Sequence, residues 1–112
     1  MTDTRYFLPD EKHVITRRIE REMDPITEFV LWDEIQEMRK KGIEPDWLQV
    51  FKLKTVRTRS KDTLLLKVTH IQESPAYENK FNFTVFPGEE LNGTVFVIDD
   101  LTHATMMWAE ER

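Results

Sequence analysis

The sequence predicts an α+β domain, with one main helix packed on an antiparallel sheet of about five or six strands. Three observations carry this. One segment, opening at Asp24-Pro25 and stopping at Gly42, has helical spacing and signals at both ends. From residue 46 onward the chain becomes short alternating apolar runs separated by polar turns. At 112 residues, 39% hydrophobic and 33% charged, it forms a single domain, residues 1–112. A chain of this size buries roughly 65% of its unfolded surface around one core.

Residues 1–12 read as a loosely ordered N-terminal extension of that domain. Val14-Ile-Thr-Arg-Arg-Ile19 fits strand alternation, with Ile15, Arg17 and Ile19 on one face, although Ile15 and Ile19 also have helical spacing. The strand reading is taken here. Asp24 is a good N-cap, because its carboxylate accepts from an amide of the first turn, and Pro25 suits the first helical position. Thr27 occupies the position where glutamate would complete a capping box. The helix runs to about Lys41. Leu31, Ile35 and Met38 form its apolar stripe, with Trp32 on the edge. Ile26, Phe29 and Val30 point elsewhere, so the first half is apolar nearly all round. Burial against both the sheet and the N-terminal segment is expected there, a partner groove being the alternative.

Trp47-Leu-Gln-Val-Phe-Lys-Leu-Lys-Thr-Val56 is the first strand of a hairpin, with Trp47, Phe51 and Leu53 on one face and Lys52 and Lys54 on the other. The turn 57–62 leads to its partner over residues 63–73, where Leu64, Leu66, Val68 and His70 share a row; the loop at Ser74-Pro75 closes the unit. Lys80-Phe-Asn-Phe-Thr-Val85 alternates cleanly. Turn dipeptides Pro87-Gly88 and Asn92-Gly93 precede two closing strands, near 94–101 and 104–111.

Composition excludes much chemistry. The chain has no cysteine, hence no disulfide, thiol nucleophile or thiolate metal site. Three glycines cannot build a phosphate-cradling loop, and neither Ser60 nor Ser74 lies in a nucleophile elbow. His70, His103, Asp99 and Asp100 are ligand types for a metal, yet no pair has diagnostic spacing. Asp99-Asp100 reads better as turn chemistry and His70 as a core or rim residue. Glu89-Glu90 and Glu110-Glu111 are adjacent, so on a strand their carboxylates diverge rather than converge on one atom. No cofactor, metal or catalytic residue is expected. The N-terminus lacks the apolar stretch of a secretory signal and no segment is long and apolar enough to span a bilayer, so a cytoplasmic location is expected.

The net charge is -5 and uneven: from residue 62 on, nine acids face only Lys67, Lys80 and Arg112. Lys52, Lys54, Arg57, Arg59 and Lys61 lie instead in a window without an acid, which suits phosphate contacts by a β-ribbon. Lysine on a wet strand face is also ordinary protection against edge pairing. Trp32, Trp47 and Trp108, with Met106 and Met107, are residue types enriched at protein interfaces.

Three segments carry a resemblance: Asp46-Trp-Leu-Gln-Val-Phe-Lys-Leu53, Thr69-His-Ile-Gln-Glu-Ser-Pro-Ala-Tyr77, and Val95-Phe-Val-Ile-Asp-Asp100 with Thr105-Met-Met-Trp-Ala-Glu-Glu111. In order and spacing they resemble a family of small, mostly Gram-positive bacterial proteins, domain of unknown function 960. Trp47, where tyrosine is typical, and the N-terminal extension through Asp10 depart from it. The resemblance implies a shared fold and no activity. Its recurring polar positions correspond to Gln49, His70, Gln72 and Glu73, which can brace one another across the hairpin.

The function expected is that of a non-enzymatic protein-binding module, as a homodimer or with another protein, through Trp32, Gln49, His70, Gln72, Glu73 and Trp108. The alternative is nucleic-acid binding through Lys52, Lys54, Arg57, Arg59 and Lys61; a small metal-dependent enzyme ranks third.

Overall fold

Alternation of side chains builds the sheet in the computed structural model, which describes residues 5–112. Six strands form it: β1 (Lys12–Ile15), β2 (Leu48–Arg57), β3 (Leu64–Gln72), β4 (Tyr77–Val85), β5 (Gly93–Asp99) and β6 (His103–Trp108), in the order β1-β6-β5-β2-β3-β4. Register places Val97, Gln49 and Met106 in one cross-strand row, and Val95, Phe51 and His70 in the next. These rows lie on the inner face, where Phe51, Leu53, Leu66, Val68, Val95, Val97 and Met106 form the core.

Two helices precede β2: α1 (Arg17–Glu22) and α2 (Pro25–Lys40). The Asp24 side chain accepts from the Ile26 amide at 3.0 Å, as a cap should. Past Lys41 the chain turns at Gly42, whose φ of +88° suits a residue without Cβ. Leu31, Ile35 and Met38 are fully buried, so this stripe is what α2 gives to the core. A sixteen-residue helix is about 24 Å long, whereas the ten residues of β2 reach about 33 Å. The sheet therefore outruns its helix, in a molecule of 56 × 29 × 23 Å, and Phe81 and Phe83 are only partly covered.

Several expectations need correction. The sheet is mixed, because β1 pairs parallel with β6 from Lys12↔His103 to Ile15↔Met106. No hairpin joins these strands, so nothing local forces an antiparallel pair. The segment from Val14 to Ile19 divides at Thr16, whose hydroxyl accepts from the Ile19 amide and starts α1. The last strand ends at Trp108, and Ala109–Glu111 is a 3-10 turn. Ile26 and Phe29 are 69% and 66% exposed, not buried.

The N-terminal extension, expected to be loose, is tied down over its described part; residues 1–4 lie outside the described residues. Phe7 is 1% exposed and belongs to the core. Its amide donates to Asp99 Oδ2 at 2.6 Å, and its carbonyl accepts from Gln36 Nε2 and Arg39 Nη2. These contacts reach the second half of α2, which leaves Ile26 and Phe29 on the first half uncovered.

Candidate interaction surfaces

Gln49, His70 and Gln72 do converge, inside the molecule. Each is at most 2% exposed, because strand alternation turns it toward α2. Gln72 Nε2 donates to the carbonyls of Glu44 and Pro75, at 3.1 and 2.9 Å, which fixes its amide. Gln72 Oε1 then accepts from the Asp46 amide at 2.7 Å and from Gln49 Nε2 at 2.5 Å. Gln49 Oε1 is left as an acceptor, 2.6 Å from His70 Nε2, so that nitrogen carries a hydrogen.

The other ring nitrogen, Nδ1, lies 3.1 Å from Glu34 Oε1. Asn79 Nδ2 donates to the same oxygen at 3.0 Å and the Tyr77 hydroxyl at 3.4 Å. Burial pushes the Glu34 carboxyl up. The hydrogen bonds from His70 and Asn79, with the charges of His70 and Lys41, outweigh it and hold the group below its ordinary value. The network joins β2, β3, β4 and α2, so its evident work is to register them against one another. Glu34 was missed, although helical spacing places it beside Leu31, Ile35 and Met38, where a carboxylate has to find a buried partner.

The other residues singled out scatter. Trp32 is buried and stacks on His13 with centroids 4.0 Å apart. Trp108 is buried beneath Arg18, whose guanidinium lies 5.8 Å from the ring. Glu73 is exposed just beyond β3. Asp100 lies in the β5–β6 turn and His103 opens β6; Asp100 Oδ1 accepts from the amides of Thr102 and His103, each at 2.9 Å. His70 is held by Glu34 instead, so His70, Asp99, Asp100 and His103 do not meet. Among the described residues, no three His, Asp or Glu side chains are grouped to hold a metal ion.

Asp99 has a different neighbour. It accepts from the amides of Phe7 and Leu101, at 2.6 and 2.7 Å. Glu11 lies beside it with Oε2 buried. Burial, then the hydrogen bond and charge of Asp99 and the charge of Asp100, push the Glu11 carboxyl up to about 7. Glu11 thus keeps a proton where two neighbouring carboxylates would repel.

Among the described residues no helix lies on the outer face of the sheet, and its surface is divided. One half is mainly apolar: Met107, Phe96, Val50 and Ile71 face one another across four strands, and Val14, Ile98 and Leu48, with Thr105 between Val14 and Ile98, form the adjacent row. All are half-buried. The other half is basic. Lys54 lies opposite Lys67, while Lys52 lies opposite Thr69, which lies opposite Lys80. The basic window read from sequence therefore splits. Lys52 and Lys54 join Lys67 and Lys80, Arg57 falls on the opposite side by alternation, and Arg59 and Lys61 sit in the tip turn. Only the register could have revealed Lys67 and Lys80 as partners.

Comparison with known proteins adds a family and a fold. A family model described as a Staphylococcal protein of unknown function, domain of unknown function 960, matches residues 13–111. A comparison with curated proteins finds no match. A crystal structure of a protein of unknown function from Enterococcus faecalis is similar, with a TM-score of 0.72 and 18% identity over 98% of each chain. At that identity the likeness concerns the fold alone.

Proposed function

The chain belongs to this Staphylococcal family of unknown function, and we propose that it is a non-enzymatic protein-binding module that works through the outer face of its sheet. A fold shared with a family of unknown function carries no activity, so the reading has to rest on the surface. The observation that carries it is the double row of half-buried, mainly apolar side chains, centred on Val50 and Phe96, on a face that no other described element covers. Contiguous apolar area on a small domain marks a contact site more often than a solvated wall. The candidate chemical groups are meanwhile engaged in structure: His70 and Glu34 with each other, Asp99 with the N-terminal segment.

The partner in this reading is a second copy of the chain. Two such faces can stack as aligned sheets about 10 Å apart, and a two-fold pair presents the same patch from both sides. A cytoplasmic site of action belongs to the same reading and rests on the cysteine-free composition. No helix among the described residues is long and apolar enough to cross a membrane.

Sedimentation equilibrium over a concentration series tests the proposal. A dimer is expected, and Phe96→Lys, which places a charge in the middle of the patch, is expected to return a folded monomer. A monomer at every concentration, or a dimer indifferent to Phe96→Lys, contradicts it.

A further inference from the structure

We propose that the lysine-bearing half of the outer face is a sequence-independent binding site for the phosphodiester backbone of single-stranded nucleic acid. This does not depend on the protein-binding reading, because it uses a different half of the face. Lys54 and Lys67 are direct cross-strand partners, and Lys52 and Lys80 flank Thr69 in the adjacent row. Cross-strand neighbours are about 5 Å apart and second neighbours along a strand about 7 Å, so the four ammonium groups share a field roughly 10 Å across. All four are exposed.

Like charges placed directly opposite destabilise a sheet, so this arrangement requires a reason. Edge protection does not account for Lys52 and Lys67. Lys52 and Lys67 lie on strands paired on both sides, and only Lys54, just past the end of the β2–β5 pairing, and Lys80, on β4, lie at an edge. Local neutralisation is slight: Glu78 lies 3.9 Å from Lys80, and the described residues offer no ion pair to Lys52, Lys54 or Lys67. A chain with a net charge of -5 has nonetheless gathered these cations on one side of one arm. A polyanion laid across them relieves the repulsion and releases its counterions, which is the usual source of backbone affinity.

The shape favours a single strand. The lysines border a shallow depression of about 450 Å³, whose lining includes Thr69 and Asn82 as neutral hydrogen-bonding groups. The face is a sheet surface with no helix on it to enter a duplex groove. Arg59 and Lys61, in the tip turn, extend the positive charge beyond the field.

Fluorescence anisotropy with a labelled oligothymidylate, repeated across a salt series, tests this. At about 50 mM salt the dissociation constant is expected in the range of about 10–100 μM, typical of backbone contacts alone. Four contacts to a single strand give a slope of log K against log salt of about -2.8. The double substitution Lys54→Gln, Lys67→Gln should halve that slope to about -1.4 and weaken binding at least about tenfold. Arg57→Gln, on the other side of the sheet, should change affinity less than about twofold. Circular dichroism establishes that the variants remain folded. Absence of binding at low salt overturns the proposal, and so does binding whose slope survives the double substitution. Tighter binding to a duplex of equal length, or to vesicles of anionic lipid, overturns the choice of a single strand.

Discussion

Replacing His70 with leucine tests the buried network most sharply, because leucine removes the two polar contacts and little else. The ring is fully buried and stacks on Phe51 with centroids 4.5 Å apart, an apolar contact that leucine largely keeps. The loss is therefore polar. Gln49 Oε1, 2.6 Å from Nε2, becomes a buried acceptor without a donor, which costs about 1–3 kcal/mol. Glu34, 8% exposed, loses its hydrogen bond to Nδ1; a hydrogen bond to a charged group contributes about 1.5–3 kcal/mol. Asn79 and Tyr77 still donate to Glu34, so the total should fall near the lower end, about 3 kcal/mol. Adding Glu34→Leu to His70→Leu removes the stranded carboxylate, and the double variant should lose clearly less than the two single losses combined.

The pH dependence has a definite sign. A carboxyl held below its ordinary value contributes stability above that value, and loses the contribution as pH falls through the folded-state one. The native chain should therefore weaken progressively in acid below the ordinary glutamate range, and Glu34→Leu should flatten that limb. Urea unfolding followed by tryptophan fluorescence measures all of this, with the slope of the transition checked for constancy. A cost for His70→Leu below about 1 kcal/mol, or strictly additive losses, would refute the reasoning.

Two further outcomes follow from the geometry. Glu11, raised to about 7 beside Asp99 and Asp100, keeps its proton in the fold between the ordinary glutamate range and neutrality, so its environment opposes folding as pH rises through that window. Exchange at the Phe7 amide, corrected for the intrinsic rate, should accelerate from pH 5 to pH 8, and Glu11→Gln should remove the change. On the outer face, Lys54→Glu converts a like-charge pair with Lys67 into an opposite one and should raise the melting temperature by about 1–5 °C; an unchanged or lower melting point would mean that the two ammonium groups do not interact.

How far the structure was legible varies from element to element, for physical reasons. α2 was readable because both its ends carry local chemistry, Asp24-Pro25 at one and Gly42 at the other. The faces of β2 and β3 were readable because alternation is a property of neighbouring residues. Strand order was not, and so the parallel union of β1 with β6, strands some ninety residues apart, left no trace in either segment. Phe7 was missed for a related reason: its anchors, Asp99, Gln36 and Arg39, are all distant in sequence. The split of the basic window at Arg57 was implicit in alternation, whereas the union of Lys54 with Lys67 needed the register. Gln49, His70, Gln72 and Glu73 were grouped across one hairpin; the first three share the buried network, while Glu73 is exposed just beyond β3. Glu34 could have been added from the helical wheel alone.

The claim that matters most is that the half-apolar outer face meets another copy of the chain. A filtered NOE experiment on an equimolar mixture of isotope-labelled and unlabelled protein measures this directly, since only contacts between copies survive the filter. Cross-peaks are expected from the methyl groups of Val50, Ile71, Ile98 and Met107 to the Phe96 ring of the other chain. A spectrum empty of such peaks at millimolar concentration, or one whose peaks arise from Ile26 and Phe29 on α2, contradicts the account.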